Sequence, residues 1–303
     1  MPDLPAPHGD KLNALLENEK LPSTDRTGVA KTIKLYQRWL RQLHQVQGTY
    51  DETIAQMVSL LNEYKRHIEA DLIFDSNRDF LYRQKGQLKL DNSVIEEFLP
   101  MLVTTALAHE LRHFHLSFGP ATCFSGIRFE SNIAATEPGR GMRLRQKDHD
   151  FAISRKLFLQ ASHRPDFKGS VTSETSVAYI AAEIKTNLDK TMFQEAAATA
   201  LDVKTTLPGA KYFLLCEWLD MTPINASTTA IDEVIILRKA KRLPSSTRAH
   251  FNTARGRQQH RAAFIQHLQS HPLAPEMFAH FLGHIKRMIS TGTEADIVKR
   301  GYF

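Results

Sequence analysis

The stretch that most constrains this chain is Ser176 to Lys204, SVAYIAAEIKTNLDKTMFQEAAATALDVK. Its first half alternates as a strand: Val177, Tyr179, Ala181, Glu183 and Lys185 share one face, and Ala178, Ile180, Ala182 and Ile184 the other. Both faces are largely apolar until Glu183, the pattern of a strand buried inside a sheet. Glu183 and Lys185 then emerge side by side at the strand's C-terminal end. Thr186 and Asn187 are good helix caps, Asp189 suits a first turn, and Leu188, Met192, Ala196, Ala200 and Val203 recur at helical spacing, predicting a helix over 188–204. A carboxylate and an amine at the tip of a buried strand are costly unless used. The carboxylate suits a hard divalent cation such as magnesium, and the ammonium can hold a water or stabilise charge developing on phosphorus. The simpler alternative is a solvated Glu and Lys where the strand frays.

Ala182-Glu183-Ile184-Lys185, closing an apolar strand, resembles the last part of the PD-(D/E)xK nuclease signature. The following TNLDKTMFQEA, the later KYFLLCEWL run and the IDEVIILRK segment are similar to type II restriction endonucleases of that superfamily, in particular those acting as heterodimers on short asymmetric sites. The resemblance covers roughly residues 140 to 243. It implies an α/β fold: a PD-(D/E)xK core, with a central mixed sheet flanked by helices, between helical N-terminal and C-terminal regions. The expected division is 1–118, 119–243 and 244–303.

The superfamily places an Asp on the strand antiparallel to the one ending in Glu-x-Lys, and two aspartates satisfy this. Pairing Asp150 with Glu183 puts the hairpin midpoint near residue 166, inside His163-Arg164-Pro165-Asp166; pairing Asp166 puts it near Ser173-Glu174-Thr175. Asp150 is preferred because FAISRKLFLQA behind it is long and apolar enough to pair with 176–185, whereas Phe167-Lys168-Gly169-Ser170 is poor strand material. Asp148 is a third candidate. The resemblance then implies Asp150, Glu183 and Lys185 as catalytic residues, with Mg2+ held by Asp150, Glu183 and the carbonyl of Ile184. Gln194 and Glu195 are candidates for supporting or phosphate-contacting groups, or ordinary helix-surface residues. The implied activity is sequence-specific cleavage of double-stranded DNA by a dimer, with a non-identical second subunit for an asymmetric target.

At 303 residues the chain has ample material for a core. It has no run of 18 apolar residues, so no membrane span is expected. The start, MPDLPAPHGDKLNALL, does not read as a secretory signal, and two cysteines, Cys123 and Cys216, make no disulfide framework. Cytoplasmic residence fits. A net charge of +6 favours a polyanionic partner.

Residues 11–72 read as amphipathic helices and 73–92 as irregular. A helix is expected from Val94 towards Leu116, ended by Gly119-Pro120. It contains His109-Glu110-Leu111-Arg112-His113, the H-E-x-x-H pattern that binds zinc in metalloproteases. Arg112 and the lack of a recognisable third ligand depart from that pattern, so a zinc metalloprotease is the rival enzyme, and a non-catalytic basic DNA-binding protein the rival binder. Arg140, Arg143, Arg145 and Lys147 form a glycine-punctuated stretch suited to a DNA-facing loop. A second basic run, Arg238 to Arg261, is either a DNA-cleft lining or a solvated face. Residues 258–289 read as two helices split at Pro272.

Overall fold

The computed structural model describes residues 4–134, 137–290, 298–299 and 301, except for the side chain of Arg140. It divides into two compact units. The first comprises Met1–Phe114, Glu217–Leu219 and Ile236–Phe303; the second comprises His115–Cys216 and Asp220–Ile235. The N-terminal and C-terminal helices thus belong to one unit. Among the described residues, no helix is long and apolar enough to cross a membrane.

The first unit is helical: α1 (Pro7–Glu17), α2 (Ser23–Gln45), α3 (Tyr50–Arg66), α4 (Asp79–Leu88), α5 (Asn92–Ala106), α6 (Ala108–Leu111), and later α8 (Ser245–Ala249), α9 (Ala254–Gln259), α10 (Arg261–Ser270) and α11 (Pro275–Ile289). α3 opens with a capping box, in which Thr49 and Glu52 satisfy each other's backbone N–H groups. A π-helical turn, His67–Phe74, continues it. The polar 73–92 segment is more ordered than its composition suggests. Arg257, 1% exposed, donates to the carbonyls of Phe74, Ser76, Arg78 and Phe251 and pairs with Asp79 at 3.1 Å, tying the segment down.

Two polar clusters sit inside this unit. Around His8, the His8 and Gly9 N–H groups donate to Glu97 Oε2 at 2.9 and 3.1 Å, and the Tyr36 hydroxyl donates to Glu97 Oε1 at 2.6 Å. The His8 ring lies 3.0 Å from Ser93 Oγ and 2.8 Å from the Tyr64 hydroxyl. Gly9 is required here, because a Cβ would stand 2.5 Å from the Tyr36 hydroxyl. In the second cluster, Lys65 Nζ stands 2.7 Å from Glu217 Oε1, an ion pair, and donates to the Asp91 carbonyl at 2.6 Å. Arg238 reaches Glu69 at 2.8 Å and Glu217 at 3.0 Å, and stacks over Trp218. All four charged side chains are buried, so each depends on its partners.

The second unit holds β1 (Ser117–Arg128), β2 (Arg143–Ala161), β3 (Val171–Leu188) and the first parts of β4 (Lys211–Leu219) and β5 (Glu233–Lys241), strands of a sheet of order β1-β2-β3-β4-β5. β1 pairs antiparallel with the first half of β2, and β3 antiparallel with the second half. Helix α7, Lys190–Thr206, follows β3.

Four expectations are corrected. The helix expected to run to Leu116 ends at Ala106, and α6 adds only one turn. Gly119-Pro120 ends no helix; it lies within β1, at a register shift between Gly119 and Ala121 where the missing proline N–H costs no ladder bond. The Arg143–Lys147 stretch is no loop but the first part of β2. Strand β3 runs on to Leu188, whose carbonyl accepts from Asp220 N–H, so Asp189 caps the helix instead of Thr186 or Asn187, accepting from Met192 N–H at 2.9 Å.

Replacing Lys65 by Met leaves Glu217 short of a counter-ion in the core. We expect a loss of about 3 kcal/mol in guanidinium unfolding. Burial first, then the charges of Lys65 and Lys11, lowers the His8 pKa from 6.5 to about 3. The unfolded chain therefore takes up a proton below 6.5 that the folded chain refuses. The His8 contribution is complete above pH 6.5 and is lost as pH falls towards 3. Relative to a His8→Asn variant, the wild type should lose about 1.4 kcal/mol per pH unit between pH 6 and 4.

Candidate active site

The hairpin joining β2 to β3 turns between Ala161 and Val171, so Asp150, not Asp166, comes beside Glu183. The ladder between the two strands ends at Phe151↔Ala182. One residue further, the Asp150 side chain does what a ladder carbonyl otherwise would: its Oδ2 accepts from Ile184 N–H at 2.9 Å. Here the first half of β2 pairs with β1 instead, with a register shift between Gly119 and Ala121 opposite Ala152 and His149. Asp166 lies in the turn, gripped at both oxygens by Arg164 at 3.0 and 2.9 Å. Asp148 accepts from the Thr122 hydroxyl.

Glu183 and Lys185 project from the end of β3 and pair at 2.7 Å, with 23% and 25% of their side chains exposed, so they are reachable but partly desolvated. The other Glu183 oxygen accepts from the Tyr212 hydroxyl at 3.3 Å. Burial opposes the Lys185 charge, but the hydrogen bond to Glu183 and the charges of Glu183, Asp150 and Glu195 outweigh it, and the ammonium pKa is raised. Tyr212 is fully buried on β4; burial and the Glu183 charge push its hydroxyl pKa far up, so it is a donor at any working pH. His149, 4% exposed, stands edge-on to Tyr212. Neither of its ring nitrogens has a hydrogen-bond partner among the described residues, and burial, against the pull of Glu183 and Asp148, lowers its pKa to about 4.

α7 approaches closely because Ala196 and Ala200, both fully buried, face the sheet, and it brings the charge of Glu195 to Lys185. Of the basic residues singled out in the sequence, Arg143 is exposed on β2, and Arg145 and Lys147 pair with Asp202 on α7 at 3.5 and 3.0 Å. The side chain of Arg140 lies outside the described residues. Tyr212 and His149 were missed: each lies in or beside an apolar strand, and its place beside Glu183 depends on strand pairing, which has no sequence signature.

The H-E-x-x-H residues do not assemble. α6 stops at Leu111, so no continuous helix sets His109 and His113 on one face. Arg112 Nε donates to His113 Nε2 at 2.8 Å, and Glu110 pairs with Lys286 at 3.3 Å.

Two carboxylates and an ammonium thus gather where two strands of a mixed α/β sheet part company, a set whose oxygens could hold a hard divalent cation and whose ammonium could offset developing negative charge. A solved structure described as the native BbvCI A2B2 tetramer is similar over 96% of both chains, with a TM-score of 0.53 and 20% identity, so the two share a fold. A family model described as Bpu10I restriction endonuclease matches residues 87–303, and the chain belongs to that family. No curated protein matches it significantly. The protein is a type II site-specific deoxyribonuclease acting on DNA.

Removing the Tyr212 hydroxyl takes away one donor to Glu183 and little volume. Tyr212→Phe should cut single-turnover DNA cleavage by about tenfold, with the melting temperature nearly unchanged. An unaltered rate would remove Tyr212 from the site.

Proposed function

We propose that this chain hydrolyses phosphodiester bonds of double-stranded DNA with Mg2+, using Asp150, Glu183 and Lys185. One observation carries the reading: three side chains of the right chemistry converge where the β2–β3 ladder opens, with the Ile184 N–H held by Asp150. The donor set fits the ion, because carboxylate oxygens suit a hard cation, and no thiolate or second imidazole stands with them to favour zinc among the described residues. Asp150, Glu183 and the Ile184 carbonyl would hold it. When bound, it supplies Lewis-acid polarisation of the phosphate and an acidified water.

The rest falls to the chain. Lys185, kept cationic by its carboxylate neighbours, holds the attacking water through its N–H donors and offsets charge growing on the phosphate oxygens. Tyr212 fixes the rotamer of Glu183, and Asp150 is fixed by the Ile184 N–H, so neither carboxylate has to be ordered when substrate arrives. Arg143, Arg145, Lys147 and Arg140 contact the DNA backbone, where the charge of Asp202 tempers two of them.

One site of this kind cuts one strand. We infer a dimer, with a non-identical subunit for an asymmetric target, as in the A2B2 assembly of the similar BbvCI structure. Residence in the cytoplasm, with the DNA, fits this role.

Plasmid cleavage with and without magnesium tests the reading. Lys185→Ala and Glu183→Ala should each lose at least about a thousandfold in rate while still shifting DNA in a gel. Cleavage by Lys185→Ala at the wild-type rate would sink the assignment. Nicking without linearisation by the pure chain would point to the missing second subunit.

A further inference from the structure

The strands that carry Asp150 and Glu183 do not end with the site. They run on beyond it as an antiparallel pair in which Lys156 faces Ser176, Phe158 faces Glu174 and Gln160 faces Thr172; β1 joins β3 at Ser176, opposite Cys123, and past that point the pair is a two-stranded ribbon. Successive residues alternate between two faces. The inner face, with Leu157, Leu159, Ala161 and Val171, is half-buried. The turn at Pro138–Gly141 lies against its end: a Cβ on Gly139, at φ +57°, would collide with Val171 and come within 2.7 Å of the Ala161 carbonyl oxygen. The outer face is open. Phe158 stands on it 65% exposed, ringed by Lys156, Gln160, Thr172 and Glu174.

We propose that this outer face enters the major groove of the DNA and reads base pairs of the target. A two-stranded ribbon fits that groove, and the side chains are those that distinguish base edges. Gln160 matches adenine, Lys156 matches guanine, Glu174 accepts from the cytosine amino group, and Phe158 suits a thymine methyl. Charge agrees: between residues 155 and 176, Arg155, Lys156, Arg164 and Lys168 stand against Asp166 and Glu174, a surplus of two positive charges (4 − 2). A protein partner fits less well, because a stable interface needs an apolar centre, and here Phe158 stands amid polar neighbours, with Phe167 apart from it in the hairpin turn. Reach agrees as well. From position 150 to position 158 of β2 is at most about 26 Å, or about eight base pairs along the helix. This part of the argument rests on Asp150 marking the cutting site.

The test is to cut a randomised duplex library with wild type, Gln160→Ala and Phe158→Ala, each produced with any subunit that co-purifies, and to sequence the cut molecules. The residues are exposed, so unchanged melting temperatures are expected. We expect preference to relax by about 10- to 100-fold at one to three adjacent base pairs, with the rest of the consensus intact. An identical consensus would overturn the proposal. So would an identical consensus with a smaller particle in light scattering, which would make the ribbon a subunit contact. Lys185→Ala in the same library separates the two assignments: its full activity would overturn the cutting site, whereas the ribbon stands or falls on the consensus.

Discussion

The structure depends on where a ladder stops. Two antiparallel strands ordinarily continue until a turn or edge, each N–H finding a carbonyl. Here the pairing of β2 with β3 ends at Phe151 and Ala182, and the next demand, that of Ile184 N–H, is met by the carboxylate of Asp150. That exchange does two things at once. It satisfies the Ile184 N–H, so the strands can diverge at little cost. It also holds a carboxylate in one orientation beside Glu183, with Lys185 close enough to offset the repulsion.

The helical unit solves a related problem by other means. Lys65, Glu69, Glu217 and Arg238 are all buried, and burial of any one alone would be prohibitive. Glu217 and Arg238 come from sequence that is strand, and Lys65 and Glu69 from the end of α3 and its π-helical continuation. Such a network adds little net stability over a well-packed apolar core, but each member penalises any arrangement that leaves it without the others. Arg257 acts similarly on the 74–79 segment through carbonyl oxygens. The second basic run is therefore partly structural: Arg238 and Arg257 are core residues, Lys239 pairs with Glu276, and Arg261 with Asp75.

Legibility followed periodicity. The 176–185 strand, the helix after it and the paired C-terminal helices were plain, because apolar side chains recur at the spacing their burial demands. β1 was not, since GPATCFSG has weak alternation and three residues that normally break structure, Gly119, Pro120 and Gly126; its order comes from β2. α4 was hidden for the same reason, its polar sequence being held by Arg257 from far along the chain. The basic stretch at 143–147 looked like a loop because charge masks alternation on an exposed strand. The H-E-x-x-H match failed because a pattern written for a helix says nothing about whether the helix continues, and this one ends at Leu111.

What the sequence determined by itself was the chemistry: a buried strand closing on Glu183 and Lys185, the helix behind it, and two aspartates able to complete the set. The sequence favoured Asp150 over Asp166, and tertiary structure placed Asp150 beside Glu183 with Asp166 in the turn, brought Tyr212 and His149 to Glu183, and turned the remaining length of β2 and β3 into an open ribbon. The reason is physical. Alternation and capping act between neighbours in the chain and leave their mark locally, whereas register is set by the sum of contacts across strands, and no single residue carries that sum.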